Sequence, residues 1–159
     1  MDQQVLSQLL EEARSFRVIF GNRLANHLPM ALIALHKMGA DDERLWTFSK
    51  RYSRKLEPLS FSDSTPAKNP LESLGTREDF EGHLAYFHQR IYESDISTVL
   101  SEFLPSLMPG LSASAFHALI RLGYAIEIED PDEVAYSLAY WSTEYQARGE
   151  IGSDSAASP

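Results

Sequence analysis

Apolar residues recur at intervals of three and four along most of this chain, the spacing that places side chains on one face of an α-helix. One such stripe covers 5–16. A second, short and mostly apolar, begins near His27 and stops at Gly39, and a third begins at Asp41 or Asp42, either of which is a suitable cap. The first third of the chain is therefore predicted to form three helices.

The helical pattern is interrupted by a stretch rich in serine and proline at 57–75, which predicts a long loop and the best candidate for a lid. Thr76 followed by Asp79 approximates a capping box for a fourth helix. Asp95 is suited to open a fifth helix, and Pro105 predicts a kink or an early end.

Two further helices are predicted near the C-terminus. Ser112 or Ser114 is a candidate cap for the sixth. Asp130 and Pro131 supply a cap and a first-turn proline for the seventh, which is expected to run to about Arg148.

These elements predict an all-α fold, a single-domain bundle of about seven helices built from helical hairpins and containing no strand. A length of 159 residues agrees with one domain. The helical domain is expected to span 1–149, with the long loop at 57–75. The small, polar residues at 150–159 predict a disordered tail.

The composition of the chain excludes several kinds of chemistry and indicates a cellular location. The chain has no cysteine, which excludes thiolate nucleophiles, thiolate metal sites and disulfides. Its net charge of −9 argues against a nucleic-acid partner, and the longest nearly apolar stretch, 28–35, is far short of the about 20 residues that a membrane helix needs. No secretory signal is visible, so we expect a soluble cytoplasmic protein without a membrane partner. The one dense basic cluster is expected to be a solvated helix face rather than a nucleic-acid patch: Lys50, Arg51, Arg54 and Lys55.

Histidines are the remaining candidates for chemistry, because no glycine-rich nucleotide loop, Walker lysine, serine-nucleophile elbow or HExxH pattern occurs. Neither His27 with His36 nor His83 with His88 falls on one helical face. A metal would therefore take its ligands from several helices. Asp79 sits one turn before His83, and there we favour helix capping over metal ligation.

His117 lies in the apolar opening of the sixth predicted helix, where a buried imidazole needs a hydrogen-bond partner. It is either a satisfied structural histidine or a site residue, and the same two alternatives apply to His27. His36, near a helix end, favours a helix-terminus role. The aromatic residues either line a pocket for a flat ligand or belong to the core and its rim. The residues predicted to line a substrate pocket are Tyr86, His88 and Tyr124.

Two blocks of the sequence carry a family resemblance. The residues NHLPMALIALHKMGA at 26–40 and FHALIRLGYAIE at 116–127, with their spacing, resemble the N-terminal part of the questin oxidase-like family. The resemblance covers about 22–145. It implies an oxygen-dependent oxidation and ring opening of an aromatic or apolar small molecule, of Baeyer–Villiger type, with NADPH as reductant and non-haem iron held by histidines.

By this resemblance, His27 and His117 are the catalytic residues and the iron ligands, whereas Met30 and Arg121 stand where relatives carry further histidines. Family members are longer, so the resemblance implies that this chain is a fragment such as an N-terminal half, a half-site that dimerises, or a relic. The partners it implies are a second copy in a homodimer or a separate C-terminal half. The alternative functions are a non-catalytic helical binding or assembly module with an exposed apolar face, and a histidine-based hydrolase.

Overall fold

The computed structural model describes residues 3–60 and 65–147. Seven α-helices form a helical bundle in this part of the chain, as the hydrophobic spacing predicts. They are α1 Gln3–Arg14, α2 Leu28–Lys37, α3 Asp42–Ser53, α4 Phe80–Glu93, α5 Ile96–Leu107, α6 His117–Glu127 and α7 Pro131–Thr143. None of the helices described is long and apolar enough to cross a membrane.

A small β-hairpin corrects the prediction that no strand occurs. Strand β1, Ile19–Phe20, pairs antiparallel with β2, Leu24–Ala25. The turn between them holds Gly21 at φ 52° and Arg23 at φ 63°, in the left-handed region. Two-residue strands are too short to produce a readable alternation in the sequence.

The helices bury two hydrophobic clusters. The first cluster joins α4, α5, α6 and α7 around Phe87, Phe103 and Trp141. The second cluster joins α1, α2 and α3 around Leu32 and Leu45. Each of these two groups of helices thus has its own core, and the two cores meet where α2 packs on α6.

Ion pairs and one tyrosine connect the two clusters. The Arg14 guanidinium at the end of α1 lies 3.4 Å from Asp130 and 3.5 Å from Glu133, and the Tyr136 hydroxyl donates to the Arg14 carbonyl at 3.0 Å. Glu133 also pairs with the buried Arg121, at 3.0 Å. These contacts fix α1 against the N-terminal end of α7.

Three of the predicted caps are confirmed. The side chains of Asp41, Asp95 and Asp130 each accept a hydrogen bond from the backbone N–H three residues later.

The predicted capping box before α4 is wrong. Neither Thr76 nor Asp79 makes a side-chain capping bond, and a 3-10 turn, Arg77–Asp79, leads into α4. The Asp79 carboxylate instead accepts from the Lys68 ammonium at 2.5 Å, so an ion pair with the preceding loop replaces the cap.

The predicted serine cap of α6 is also wrong. Ser114, Ala115 and Phe116 all have positive φ, and the helix begins only at His117. The Ser114 hydroxyl accepts from the Tyr140 hydroxyl at 2.9 Å and is therefore turned toward α7.

Pro105 does not end α5 early: it lies inside the helix, which continues to Leu107 before the 3-10 turn Met108–Gly110 ends it. The end of α7 differs from the prediction. Helix α7 stops at Thr143 rather than near Arg148, and at this end the Ser142 carbonyl accepts from the Gly75 N–H at 2.8 Å.

The long loop is laid over the bundle where it is described. Lys68 N–H donates to the Gly82 carbonyl of α4 at 3.0 Å, and a 3-10 turn occupies Pro70–Glu72. Residues 61–64 of the loop and the tail 150–159 lie outside the described residues.

Candidate functional site

The structure brings His27 and His117 together. His27 is the residue before α2, and His117 is the first residue of α6. Their ring centres lie 4.7 Å apart and their planes are nearly perpendicular, at 85°. Because α2 belongs to the second cluster and α6 to the first, the pair sits where the two cores meet.

Each of these imidazoles is oriented by a backbone carbonyl. The Nδ1 atom of His27 lies 2.8 Å from the Ala25 carbonyl of β2, and that of His117 lies 2.5 Å from the Ser114 carbonyl. A carbonyl only accepts, so Nδ1 carries the proton in both rings and Nε2 keeps its lone pair in the neutral form. This is the arrangement in which histidines commonly bind metals or accept protons.

The electrostatics favour a neutral His27. Burial lowers its pKa below the ordinary value, the hydrogen bond to Ala25 opposes this shift, and the nearby His117 and Lys55 lower the pKa further. A neutral imidazole is the form that ligates a cation or accepts a proton.

A cleft of about 590 Å³ opens beside the pair, within the usual size range of small-molecule sites. The Tyr52 hydroxyl borders it and accepts from the His27 N–H at 3.2 Å. Beyond the two histidines, the cleft is lined by apolar, aromatic and charged side chains that include Ile19, Phe20, Arg23, Leu24, Tyr52, Lys55 and Glu144.

The carboxylate in this lining is already paired. Both oxygens of Glu144 accept from Arg77, at 2.5 and 2.7 Å. Across the residues that the structure describes, no group of three or more histidine, aspartate or glutamate side chains is placed to hold a metal. The described part of the chain therefore offers two imidazole nitrogens and no carboxylate ligand beside them.

The three residues predicted for the substrate pocket lie elsewhere. Tyr86 packs edge-on against Phe103 in the first cluster, with ring centres 5.8 Å apart. His88 Nε2 is 3.4 Å from an Asp132 oxygen, and Tyr124 packs against the second cluster. None of the three lines the cleft beside the histidine pair.

The other two histidines also stay apart from the cleft. His83 is fully buried, and its Nε2 lies 2.9 Å from the Ser73 hydroxyl. His36 lies in the last turn of α2, the helix-end position that its sequence context favours.

Tyr52 and Lys55 are among the cleft residues that the sequence analysis did not select. Both belong to the region of the third predicted helix, and Lys55 was assigned there to a solvated basic cluster. Their closeness to His27 depends on how the α2–α3 hairpin folds back, which spacing along the chain does not encode.

A family model described as questin oxidase-like matches residues 24–158 and so includes both histidines of the pair. The chain belongs to the questin oxidase-like family. Among its similar proteins are two fungal oxidases. Baeyer-Villiger oxidase AgnL3 of Paecilomyces divaricatus is 26% identical over 126 residues, which are 71% of this chain and 27% of the relative. Baeyer-Villiger oxidase ptaJ of Pestalotiopsis fici is 25% identical over 131 residues, 74% of this chain and 30% of the relative.

This questin oxidase-like chain thus aligns with less than a third of the length of either relative. Family membership supports an oxidoreductase, and the paired histidines lie in the aligned part of the family.

Proposed function

We propose that this chain is a questin oxidase-like oxidoreductase, or the N-terminal part of one, that uses oxygen to oxidise and ring-open an aromatic or apolar small molecule. The observation that carries the proposal is the contact between His27 and His117, with both Nδ1 atoms bonded to carbonyls. The names of the two similar oxidases support the same class of reaction.

The distance between the two ring centres agrees with that of two ligands of one metal ion. Two imidazoles bound to one ion through Nε2 at roughly 2.1 Å, with about 90–110° between the bonds, have ring centres roughly 4.5–5.3 Å apart. The observed 4.7 Å falls in this range. Iron bound by both histidines would supply open coordination positions for oxygen and substrate, the general requirement of non-haem oxygenation. NADPH as reductant belongs to the same proposal.

The chain's own residues bind and orient the substrate in the proposed reaction. Phe20 and Leu24 give the cleft an apolar wall for a flat ring system. The bonds from Nδ1 of His27 to Ala25 and from Nδ1 of His117 to Ser114 hold the two rings in place, so that both Nε2 lone pairs are available to the metal ion.

The test is metal content. Protein purified without added metal or chelator is analysed for iron, alongside His27→Ala, His117→Ala and the control His36→Ala, which removes a histidine of α2 outside the cleft. We expect near-stoichiometric iron in the parent and the control and a loss of about tenfold or more in each of the other two variants.

Absence of iron from the parent would contradict the iron-dependent form of the proposal. Iron retained by both His27→Ala and His117→Ala would place the metal elsewhere. Oxygen consumption with flat aromatic substrates, measured on iron-loaded protein with NADPH, then tests the reaction itself.

A second candidate function is a non-catalytic binding or assembly module, with a second copy or a separate C-terminal half as partner. The observation that favours it is an exposed apolar groove of about 1090 Å³ along α5. Tyr92 is 69% exposed and Met108 47% exposed at its edges. Apolar faces of this kind mark interaction sites.

Sedimentation velocity separates the two functions. An assembly module would self-associate without metal, and Leu100→Glu in the groove would return it to a monomer. A parent that stays monomeric at concentrations up to about 100 μM would rule out the homodimer, because stable interfaces have dissociation constants well below that concentration.

A further inference from the structure

The cleft beside His27 and His117 carries cations that no carboxylate neutralises. Lys55 and Arg23 both line it, and neither forms an ion pair among the residues that the structure describes. Its carboxylate, Glu144, is bonded through both oxygens to Arg77. Although the chain has a net charge of −9, this cleft therefore carries a local excess of positive charge.

The Lys55 ammonium lies over two aromatic rings. Its Nζ atom lies 3.8 Å from the centre of the Tyr52 ring and 5.9 Å from that of Phe20. Aromatic faces attract an ammonium group but leave its hydrogen-bond donors free for an anion. Tyr52 in turn bonds the His27 backbone, so the ammonium and the histidine pair belong to one connected arrangement.

We propose that the cleft binds an aromatic anion, a carboxylate or phenolate, whose charged group pairs with the Lys55 ammonium while its rings pack on the apolar wall. This inference rests on the proposed function for the location of the site, and it names the charge that the substrate carries. The long-range repulsion by the acidic chain makes any preference for an anion a local property of the cleft.

The experiment compares two probes of one shape, 2-naphthoate and its neutral amide, 2-naphthamide. Binding to the protein as purified is followed by amide chemical-shift titration, which needs neither iron nor turnover. We expect naphthoate to bind more tightly than naphthamide, and Lys55→Met to weaken naphthoate by about fivefold while leaving naphthamide unchanged.

The matched control is Lys50→Met. Lys50 also lies over an aromatic ring, 5.8 Å from the centre of Trp46, but it does not line the cleft, so both probes should bind this variant as they bind the parent. The inference is overturned if the parent binds neither probe, if it binds both equally, or if Lys55→Met weakens both probes or neither. If the protein prefers the anion but holds no iron, only the proposed iron site is contradicted. If it holds iron but does not prefer the anion, only this inference is contradicted.

Discussion

His83 is a fully buried titratable side chain with only one of its ring nitrogens bonded. Its Nε2 forms a hydrogen bond with the Ser73 hydroxyl, whereas its Nδ1 has no hydrogen-bond partner. Burial lowers its pKa from 6.5 to about 4, against the opposing attraction of Asp79. The imidazole therefore stays neutral in the folded protein over a pH range in which the unfolded chain takes up a proton.

This depressed pKa predicts an acid sensitivity. Between pH 6.5 and about 4 the unfolded state binds the proton and the folded state does not, so stability falls as the pH falls. We expect the parent to lose roughly 1–3 kcal/mol more than His83→Leu across that interval. Urea unfolding of both proteins at pH 7 and pH 4.5 measures the difference. Equal losses would mean that His83 titrates alike in both states.

Sequence alone identifies individual residues of the candidate site unevenly. His27 and His117 were selected by the family resemblance, and the local pattern left each open between a structural and a site role. Lys55 was assigned to a solvated face because its neighbours in sequence are basic. Its charge matters only next to Tyr52 and His27, and that proximity arises from folding.

The left-handed run before α6 shapes the site at the scale of an element. Ala115 has φ 52° and ψ 45°, a conformation that costs a non-glycine residue roughly 1 kcal/mol. The run turns the Ser114 carbonyl toward His117 Nδ1 and so orients one imidazole of the pair. Backbone strain here accompanies the positioning of a candidate functional side chain.

Two identical substitutions should have opposite effects. Ala115→Gly removes the left-handed penalty and is expected to raise the free energy of unfolding by about 0.5–1 kcal/mol. Ala85→Gly, in the middle of α4, is expected to lower it by about 1 kcal/mol, because glycine is a poor helix former. Thermal unfolding of both variants beside the parent checks the pair. Destabilisation by Ala115→Gly would show that the run is not strained.

Helices were predictable where local chemistry decides their ends. Aspartate at 41, 95 and 130 satisfies free N–H groups whatever the tertiary structure, and all three caps were found from the sequence. The starts of α4 and α6 were missed, because Asp79 bonds Lys68 and Ser114 bonds Tyr140 across the fold. Long-range partners of this kind leave no periodic signal.

The whole molecule has one tryptophan in each of its two hydrophobic clusters. Trp141 is buried in the first cluster, where its Nε1 donates to the Gly110 carbonyl at 3.2 Å. Trp46 packs against the second cluster. The pairs of Arg14 with Asp130 and Glu133 and the docking of α2 on α6 couple the clusters, so we expect a single cooperative unfolding transition.

Single-tryptophan variants test this coupling. In Trp46→Phe the remaining tryptophan, Trp141, reports on the first cluster. In Trp141→Phe the remaining tryptophan, Trp46, reports on the second cluster. In each variant, the fluorescence midpoint in urea should coincide with the midpoint from circular dichroism, even if the two variants differ in stability. Midpoints that separate in either variant would show that one cluster unfolds before the other.

The position of the histidine pair between the two cores has a consequence for the protein's synthesis. His27 is synthesised before His117, and its partner ring is added only when the chain has been extended to the start of α6. No nascent chain that stops before His117 contains the pair, however well α1, α2 and α3 have already packed. The pair is therefore completed only after synthesis has reached α6, and a product that ends before His117 carries half of it.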